Sequence, residues 1–505
     1  MSYAKAYSIA LVGLVGHLVE VEADLAPGVP TVTLSGLPDT ALNEARDRVR
    51  AALVNSGEQW PNRRITINLQ PASLPKYGSI FDLPIAVTVL AGAGMLPLAP
   101  LSGVALIGEL GLDGTVRPVR GVLPCILAAA RAGIRKAVVP VANAREASLV
   151  PGVTVRATDT LRTLIDFVRG AGDLIAPPDI EPEPPFTGPD LSDVIGQELG
   201  RRALEVAAAG AHHLFLIGPP GAGKTMLAQR LPSVLPPLDD TAALEVTAVH
   251  SIAGVLPDGS PMLRRPPFQA PHHTSSPAAL VGGGSGLARP GALSLAHHGV
   301  LFLDEAPEFG TRALDCLRQP LEDGQVTINR SAGTTTYPAR IQLVLAANPC
   351  PCAKPSGDQH CECSPVVRRR YLSRLSGPLL DRIDLRVPLE AVTSAQLVRD
   401  DDAAVASEVI RKQVQVARDA AAARWGPLGT KVNSAISGAF LRSAAFRLPA
   451  AVTKQLTDEI DKGVLSARGF DRVVRMAWTI ADLDGRDRPG KSDVAEAVYL
   501  RGGAH

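Results

Sequence analysis

One stretch decides the fold of the central region, His213-Leu-Phe-Leu-Ile-Gly-Pro-Pro-Gly-Ala-Gly-Lys-Thr-Met-Leu-Ala-Gln-Arg-Leu231. Its opening apolar run is typical of a buried strand, and the residues that follow match the pattern G-x-x-x-x-G-K-[ST]. The apolar residues after Thr225 have helical spacing. A strand, a glycine-rich loop and a helix in this order form the context of a phosphate-binding loop, which favours such a site over a chance turn.

The residue types of this loop suit a chain of phosphates. Glycines let backbone N–H groups turn toward phosphate oxygens, and the helix N-terminus adds positive potential. We expect Lys224 to reach the β- and γ-phosphates of ATP, and Thr225 to ligate Mg²⁺. The predicted cradle comprises Gly218, Pro219, Pro220, Gly221, Ala222, Gly223, Lys224 and Thr225.

Two later strands end in polar residues that could complete a hydrolytic site. The first is Val300-Leu-Phe-Leu-Asp-Glu305, and the second is Ile341-Gln-Leu-Val-Leu-Ala-Ala-Asn348. Buried parallel strands deliver their C-terminal residues to the ligand-binding crevice. We expect Asp304 to hold Mg²⁺, Glu305 to polarise the attacking water and Asn348 to orient that water. The alternatives are solvent-exposed acids at a strand end and an asparagine that forms a turn.

Composition limits the broad class of the protein. A chain of 505 residues is too long for one core and predicts two to four domains. The hydrophobic fraction of 46% with only 4% aromatics predicts cores of Ala, Val, Leu and Ile. The net charge of +1 gives no basic excess, so contact with nucleic acid must be local or absent.

The pattern along the chain predicts four parts. Residues 1–172 alternate β-branched runs with Ala-rich helical stretches and predict an α+β domain. Residues 173–190 are rich in Pro and acidic residues and predict a semi-rigid linker. Residues 191–390 alternate short buried strands with helices, which is typical of a parallel sheet covered on both faces. Residues 391–505 carry almost no strand signal and predict a helical bundle.

An uncharged stretch at 83–108 has the length of a membrane span but is broken by three prolines. A buried helix, a turn and a buried strand explain it better. The N-terminus lacks a basic leader followed by a clean apolar run, which argues against a signal peptide. We therefore predict a cytoplasmic protein with no membrane segment.

Four cysteines lie close together in the sequence. Cys350-Pro-Cys352 and Cys361-Glu-Cys363 bracket a polar loop. Two close pairs of thiolates suit a tetrahedral structural Zn²⁺ site, with His360 as a possible replacement ligand. The alternatives are four reduced loop cysteines and redox chemistry.

Longer motifs add a resemblance to a known family. The relevant stretches are Phe268-Gln-Ala-Pro-His-His-Thr274, Ala279-Leu-Val-Gly-Gly-Gly284, Gly291-Ala-Leu-Ser-Leu-Ala-His-His-Gly-Val-Leu-Phe-Leu-Asp-Glu-Ala306 and Arg374-Leu-Ser-Gly-Pro-Leu-Leu-Asp-Arg-Ile-Asp384. They resemble the magnesium-chelatase-like AAA+ ATPases and, among these, the ComM/YifB proteins. The resemblance implies an α/β P-loop sheet with a helical C-terminal lid.

The resemblance also implies a hexameric ring with ATP at the subunit boundaries. In such rings a neighbour supplies an arginine to the γ-phosphate, and Arg382 matches that position. Its alternative is a surface ion pair with Asp381 or Asp384. The second sensor, at the start of a lid helix, falls on Arg468, although Arg472 and Arg475 compete for this role.

Two loops of the family could face the pore of the ring and grip a polymer. One is an insertion within residues 249–289, and the other is a hairpin within 325–340. Asn329, Arg330 and the tip Ser331-Ala-Gly-Thr334 suit phosphate contact but equally suit a solvated turn. We interpret His272 and His273 as loop packing or polymer contact.

Residues 21–140 resemble the proteolytic domain of Lon-type proteases, a ribosomal-protein-S5-like fold. The nucleophile position carries Ile80, and Ser79 is one residue away. The segment expected to hold the catalytic lysine, Gly121-Val-Leu-Pro-Cys-Ile126, contains none. A serine needs a neighbouring base, so we predict no protease activity, and a dyad of Ser79 with Lys76 is disfavoured.

The function implied by the resemblance is that of a DNA-translocating helicase that promotes branch migration in recombination or natural transformation. The alternatives are a chelatase-type motor that remodels a protein partner, an ATP-dependent protease and a scaffold that only binds nucleotide. The absent catalytic lysine opposes the protease. The intact Lys224, Asp304, Glu305 and Arg382 oppose the scaffold.

Overall fold

The structure, a computed structural model, describes residues 2–37, 42, 44–179, 188–257, 262–284, 288–330, 333–354, 361–392 and 405–502. They form an α/β fold with two main sheets and a helical C-terminal region. Three hydrophobic cores hold it together, one in the N-terminal region and one on each face of the second sheet.

The N-terminal sheet is mixed and has the strand order β3-β4-β2-β1-β5-β8-β9. Its strands are β1 (Tyr3–Val12), β2 (Val15–Ala26), β3 (Thr31–Ser35), β4 (Arg64–Gln70), β5 (Val104–Leu106), β8 (Lys136–Pro140) and β9 (Thr154–Thr158). In β2, alternate residues from Val19 to Leu25 are buried, because successive side chains of a strand point to opposite faces. Two short strands, β6 (Glu109–Leu110) and β7 (Val116–Arg117), pair beside the sheet.

Helices cover this sheet. They are α1 (Ala45–Asn55), α2 (Asp82–Gly92), α3 (Val122–Arg131), α4 (Ala144–Ala147) and α5 (Leu161–Val168). Helix α5 begins at Thr160, whose side-chain oxygen accepts the N–H of Thr163 as an N-cap. Its buried residues recur at helical spacing and form one apolar face against the core. Helix α2 and strand β5 account for the uncharged stretch as a buried helix followed by a buried strand, as the sequence predicts.

The second sheet is parallel and has the strand order β11-β14-β17-β10-β18. Its strands are β10 (Leu214–Ile217), β11 (Phe268–Gln269), β14 (Val300–Leu303), β17 (Gln342–Ala347) and β18 (Leu385–Pro388). Strands β14 and β17 are buried along their whole length, which explains their continuous apolar sequence. The order places β17 directly between β10 and β14.

Helices surround this sheet, and two hairpins extend from it. The helices are α6 (Glu198–Gly210), α7 (Lys224–Val234), α8 (Asp240–Ala253), α9 (Pro277–Val281), α10 (Ala292–Leu295), α11 (Thr311–Asp315), α12 (Arg318–Asp323), α13 (Pro365–Leu372) and α14 (Gly377–Leu380). The hairpins are β12 (Gly282–Gly283) with β13 (Arg289–Pro290), and β15 (Gln325–Arg330) with β16 (Gly333–Pro338).

The C-terminal region is helical, as the sequence predicts. It consists of α15 (Ser407–Trp425), α16 (Gly438–Leu441), α17 (Ala450–Asp461), α18 (Ala467–Leu483) and α19 (Lys491–Leu500). Trp425 and Trp478 meet edge to face with ring centroids 5.5 Å apart. Both belong to the core that also holds Leu214 and Leu216 of β10. The helical region therefore shares a core with the strand that precedes the phosphate loop, and it packs on α6 and α7, the helices that flank this strand in sequence.

The N-terminal region contacts helix α8 and the hairpin β15–β16. The N–H of Gly121 donates to the carbonyl of Ser251 at the end of α8, 3.2 Å away. The turn between β1 and β2 approaches strand β16 so closely that a Cβ at Gly13 would lie 2.8 Å from Thr335 Cγ2. Gly13 also has a φ of +63°, so both the space and the backbone favour glycine.

Among the described residues, no helix combines the length and apolar character needed to cross a bilayer.

Candidate active site

The phosphate loop lies between the end of β10 and the start of α7. Gly221 and Gly223 have φ values of +79° and +80°, a conformation that glycine adopts without steric cost. A Cβ added at either residue would meet no atom within 4 Å, so the space beside the loop is open. At Gly218 a Cβ would lie 2.6 Å from the carbonyl oxygen of Leu389, so packing against the segment after β18 requires glycine there.

Lys224 is directed into its own loop. Its Nζ donates to the carbonyl oxygens of Gly218 at 2.6 Å and Pro219 at 2.8 Å, and to Oδ1 of Asn348 at 3.0 Å. Burial lowers the pKa of Lys224, while the nearby Asp304 and Glu305 carboxylates raise it. The ammonium group is thus held at the loop by polar partners that a phosphate could replace. Asn348 reaches it because β17 adjoins β10.

Thr225 and Asp304 bring two oxygen ligands together. Thr225 Oγ1 donates to Asp304 Oδ2 at 2.7 Å, although the two residues follow different strands. Asp304 Oδ1 accepts the N–H of Glu305 at 2.9 Å. A hydroxyl and a carboxylate are ligands that Mg²⁺ prefers, so this pair fits the metal that accompanies ATP.

Glu305 has a left-handed backbone conformation, with a φ of +49°, which is uncommon for a residue with a side chain. Its carboxylate is half exposed, and Oε2 lies 3.4 Å from Nδ1 of His273. Sequence reasoning assigned His273 to loop packing or polymer contact and did not associate it with Glu305. The signal lay in the strand order, because His273 follows β11 and β11 adjoins β14.

Arg382 lies after α14, where its guanidinium pairs with a distant acid. Its Nη2 is 2.5 Å from Glu322 Oε1, and its Nη1 donates to the carbonyl of Pro378 at 2.6 Å. Arg382 thus pairs with Glu322 on α12, and not with Asp381 or Asp384, the partners considered above. Only 14% of the side chain is exposed.

The three arginines of α18 have different surroundings. Arg468, in the first turn, is 72% exposed and lies 3.5 Å from Asp381. Arg472 forms an ion pair with the buried Asp384 at 2.7 Å, and Arg475 donates to the carbonyl of Ile436 at 2.8 Å. Arg468 is therefore the one of the three whose charge faces solvent.

The four cysteines of the loop converge. The Sγ atoms of Cys350 and Cys352 are 3.1 Å apart, and Cys361 lies 3.3 and 3.5 Å from them. All four Sγ atoms, including that of Cys363, lie within 4.8 Å of one another. Zn–S bonds of about 2.3 Å place tetrahedral sulfurs roughly 3.8 Å apart, so the arrangement fits a metal. His360, the possible replacement ligand, lies outside the described residues.

The two hairpins lie side by side. A Cβ at Gly282 would be 2.9 Å from Ile328, and one at Gly283 would be 3.1 Å from Nη2 of Arg330. Asn329 and Arg330 are exposed at the end of β15. Ser331 and Ala332, part of the tip singled out above, lie outside the described residues.

A second polar cluster lies in the N-terminal region, around the Ser79 and Lys76 considered above. The hydroxyl of Ser79 donates to Glu109, whereas Nζ of the buried Lys76 donates to the carbonyl of Pro71. The two side chains thus have separate partners. Nearby, Arg48 makes two hydrogen bonds to the buried carboxylate of Asp82, at 2.9 and 3.1 Å.

A third cluster joins α8 to the start of β14. Glu245 Oε2 lies 3.0 Å from Nε2 of His297 and 2.9 Å from Nε2 of His298. The N–H of Arg340 donates to Nδ1 of His297, so in the neutral ring Nε2 carries the proton and donates to Glu245. Burial lowers the pKa of His297 to about 4, which keeps the ring neutral. Because Nε2 of His297 carries the proton, it has no free lone pair to offer a metal ion. The three side chains therefore form a hydrogen-bonded cluster.

Three protein-family models match three different parts of the chain. The model for magnesium chelatase, subunit ChlI, matches residues 190–397. The model for subunit ChlI of Mg-chelatase matches residues 21–143, and the model for the subunit ChlI C-terminal region matches 404–501.

Individual relatives match over nearly their whole length. The chain is 52% identical to an uncharacterised protein of Mycobacterium tuberculosis over 501 residues, 99% of both chains. It is 41% identical to YifB of Salmonella typhimurium, covering 99% of this chain and 97% of YifB. It is also 41% identical to the competence protein ComM of Haemophilus influenzae, covering 99% and 98%. Over 145 residues, 27% of this chain and 18% of the relative, it is 34% identical to Lon protease 2 of Sorangium cellulosum.

Proposed function

This chain belongs to the ComM/YifB family of magnesium-chelatase-like AAA+ ATPases, and from that premise we propose that it is an ATP-driven ring motor that acts on DNA. The observation that carries the hydrolytic part is the convergence of Lys224, Thr225, Asp304 and Glu305 at one edge of the parallel sheet. Family membership supports ATP as the substrate and Mg²⁺ as its companion ion.

We propose the following roles for the site residues. Lys224 exchanges its loop carbonyls for the β- and γ-phosphates, and the loop N–H groups hold the remaining phosphate oxygens. Thr225 and Asp304 hold Mg²⁺, which when bound neutralises charge on the phosphates. Glu305 accepts a hydrogen bond from the attacking water and raises its nucleophilicity. Asn348 holds the Lys224 ammonium and shares in orienting the water.

The site is completed by neighbouring subunits in this proposal. Arg382 of one subunit reaches the γ-phosphate of the next and stabilises charge that develops in the transition state. Its ion pair with the half-exposed Glu322 would open when a neighbour docks. Arg468 is the second sensor, and its exposure at the start of α18 supports this role. We expect a homo-oligomeric ring, and a hexamer is the assembly that the family implies.

The paired hairpins support contact with DNA. They place Asn329 and Arg330 at an exposed end, with the guanidinium of Arg330 beside Gly283 of the other hairpin. An amide and a guanidinium donate hydrogen bonds to phosphate oxygens without reading sequence. The Haemophilus relative is named a competence protein, and we extend a DNA-directed role to this chain, as a helicase that promotes branch migration.

The first test is ATP hydrolysis with and without single-stranded and forked DNA, with Glu305→Gln as the blank. Stimulation that disappears in the variant would support a DNA motor, and branch-migration assays would follow. Hydrolysis that depends on Glu305 but ignores DNA would contradict the helicase proposal. That result would favour a chelatase-type motor that remodels a protein partner.

We also propose that the four loop cysteines hold a structural Zn²⁺ ion. The convergence of their Sγ atoms supports it, since closed sites of four thiolates are structural. Metal analysis of the purified chain should find about one zinc per chain. The double variant Cys350→Ser/Cys363→Ser should lose it, whereas Cys316→Ser, outside the cluster, should keep it. Equal metal content in all three would contradict the proposal.

A further inference from the structure

A buried carboxylate joins the parallel sheet to the helical C-terminal region. Asp384 immediately precedes β18, and the residue is 2% exposed. Nη1 of Arg472, on α18, donates to Oδ1 of this carboxylate at 2.7 Å. Oδ2 accepts the backbone N–H of His213 at 3.0 Å and lies 3.4 Å from Nδ1 of His212. Because a buried charge is costly to leave unpaired, these contacts hold together the elements that supply them.

The strand register places this carboxylate beside the strand that leads to the phosphate loop. In the parallel pair β10 and β18, Leu214 is opposite Leu385. His213 and Asp384 therefore precede their strands side by side, and the N–H of Asp384 donates to the carbonyl of His213 at 3.2 Å. Strand β10 runs directly from His213 to Gly218, the first residue of the phosphate loop. Asp384 is thus tied to the strand that delivers the phosphate loop of its own subunit.

The same carboxylate follows Arg382 by only two residues, in a tightly held turn. The N–H groups of Arg382 and Ile383 donate to the carbonyls of Leu379 and Leu380, at 3.0 and 3.1 Å. Nη1 of Arg501, immediately after α19, donates to the carbonyl of Ile383 at 2.9 Å. The helical region therefore holds the segment of Arg382 through α18 and through the end of α19.

We propose that Arg472 is a positioning residue that acts through Asp384 on Arg382. In the proposed ring, β10 serves the ATP of its own subunit, whereas Arg382 serves the ATP of the neighbour. Asp384 therefore links two nucleotide sites. Arg468, the proposed second sensor, lies one turn before Arg472 on α18, so a movement of this helix with bound nucleotide would reach Arg382 through the ion pair. The inference rests on the ATP hydrolysis of the proposed function and does not depend on DNA.

The helical region offers a matched ion pair as a control. Arg424 on α15 pairs with Asp482 on α18, and their side chains are 14% and 1% exposed. Those of Arg472 and Asp384 are 16% and 2% exposed. The two pairs are thus equally buried, but both partners of the control pair lie on helices of the C-terminal region. Replacing both partners of a pair at once leaves no uncompensated charge in the protein.

The experiment compares Arg472→Met/Asp384→Asn with Arg424→Met/Asp482→Asn by steady-state ATP hydrolysis without DNA. The first variant should lower kcat per folded chain about 10- to 100-fold, because Arg382 is misplaced at the boundary. Its KM for ATP should change less than about twofold, since the asparagine still accepts the N–H of His213 and the phosphate loop is intact. The control variant should keep kcat within about threefold of the parent chain. Arg472→Lys, which keeps a cation beside Asp384, should recover most of the loss.

Mixed rings locate the defect. Mixing Arg472→Met/Asp384→Asn chains with Lys224→Ala chains should restore part of the activity, because the Lys224→Ala neighbours supply a correctly held Arg382 to an intact phosphate loop. In an Arg382→Ala background the double variant should have no further effect, since the residues act as one unit. If the double variant does not fold, Asp384→Asn alone provides the same mixing test with a smaller loss, because Arg472 is partly open to solvent.

Three results would overturn the inference. They are an equal loss in the control variant, a loss that appears in KM, and no recovery on mixing. Parent hydrolysis that ignored both Glu305→Gln and Arg382→Ala would overturn this inference and the proposed function together. Hydrolysis that depends on Arg382 but is unaffected in the Arg472→Met/Asp384→Asn variant would overturn the inference alone.

Discussion

The N-terminal region and the parallel-sheet core each carry a cluster of polar side chains. Those of the first cluster are paired inside the protein, whereas those of the second remain open to a ligand. In the N-terminal cluster, Lys76 donates to a backbone carbonyl, and Arg48 donates hydrogen bonds to the buried carboxylate of Asp82. In the core, Thr225 contacts Asp304, and the neighbouring Glu305 remains half exposed.

The difference separates structural polar groups from reactive ones. A buried charge with a fixed internal partner is closed to substrate, and removal of the partner destabilises the fold because it leaves the charge uncompensated. Polar groups that contact one another at an open edge can exchange these contacts for a ligand. Loss of a residue in the first cluster should therefore affect stability, and loss of a residue in the second should affect hydrolysis.

The largest effect is expected for Arg382→Ala. Removal of an arginine finger should lower ATP hydrolysis per folded chain by about 10³-fold or more. Glu322→Gln is the matched control, because it removes the internal partner of Arg382 and leaves the guanidinium. Mixing Arg382→Ala with Lys224→Ala chains should restore part of the activity, since one mixed boundary then has both groups. No recovery on mixing would contradict a role across the boundary.

Glu305→Gln should come next, with a loss of roughly 10²- to 10⁴-fold in kcat, because the amide cannot act as a base. Nucleotide affinity, measured with a fluorescent ATP analogue, should stay within about threefold, and thermal stability should not fall. A large drop in stability would place Glu305 with the structural groups and break the comparison.

Arg48→Met should show the opposite pattern. Leaving the buried Asp82 carboxylate without its partner should cost about 3–5 kcal/mol in urea unfolding, with the hydrolysis rate per folded chain unchanged. Arg46→Met is the control, because Arg46 and its partner Asp47 are exposed and an exposed ion pair contributes little to stability.

The cost of Arg48→Met should depend on pH. Burial raises the pKa of Asp82 to about 6, although Arg48 opposes the shift. A folded pKa above the unfolded value means that the folded chain binds the proton more tightly, so this contribution to stability is present in acid and is lost as the pH rises through about 6. The variant should therefore be less destabilised at pH 5 than at pH 8, and equal losses would contradict a buried carboxylate as the cause.

The smallest effect is expected for Ser79→Ala. Its hydroxyl donates to Glu109 and is not paired with Lys76, so neither hydrolysis nor casein cleavage should change. Stability should fall by no more than about 1 kcal/mol, the value of one hydrogen bond. Casein cleavage by the parent chain that disappears in this variant would show a working protease and would overturn the comparison.

Sequence patterns predict those parts of the site that depend on consecutive residues. The strand, loop and helix around Lys224 are local, and so are the acids that end β14. The fold class and the helical C-terminal region follow from periodicity and from the family resemblance. These features need no knowledge of which strands are neighbours.

Contacts between strands lie beyond such reasoning. Asn348 reaches Lys224 because β17 adjoins β10, and His273 reaches Glu305 because β11 adjoins β14. The partner of Arg382 is another example, because its guanidinium pairs with Glu322 on a separate helix and not with the acids nearest in sequence, Asp381 and Asp384. Strand order and helix packing determine these contacts, and a local sequence pattern predicts neither.

The close approach of Gly13 to strand β16 has a mechanical consequence. The turn that contains Gly13 joins strands β1 and β2 of the N-terminal sheet. It contacts the hairpin β15–β16, which we propose grips DNA. A load that pulls on this hairpin would be shared with the N-terminal sheet, which is stiffer than a free loop. In the proposed DNA motor, the N-terminal region would then support the hairpin mechanically while ATP is hydrolysed.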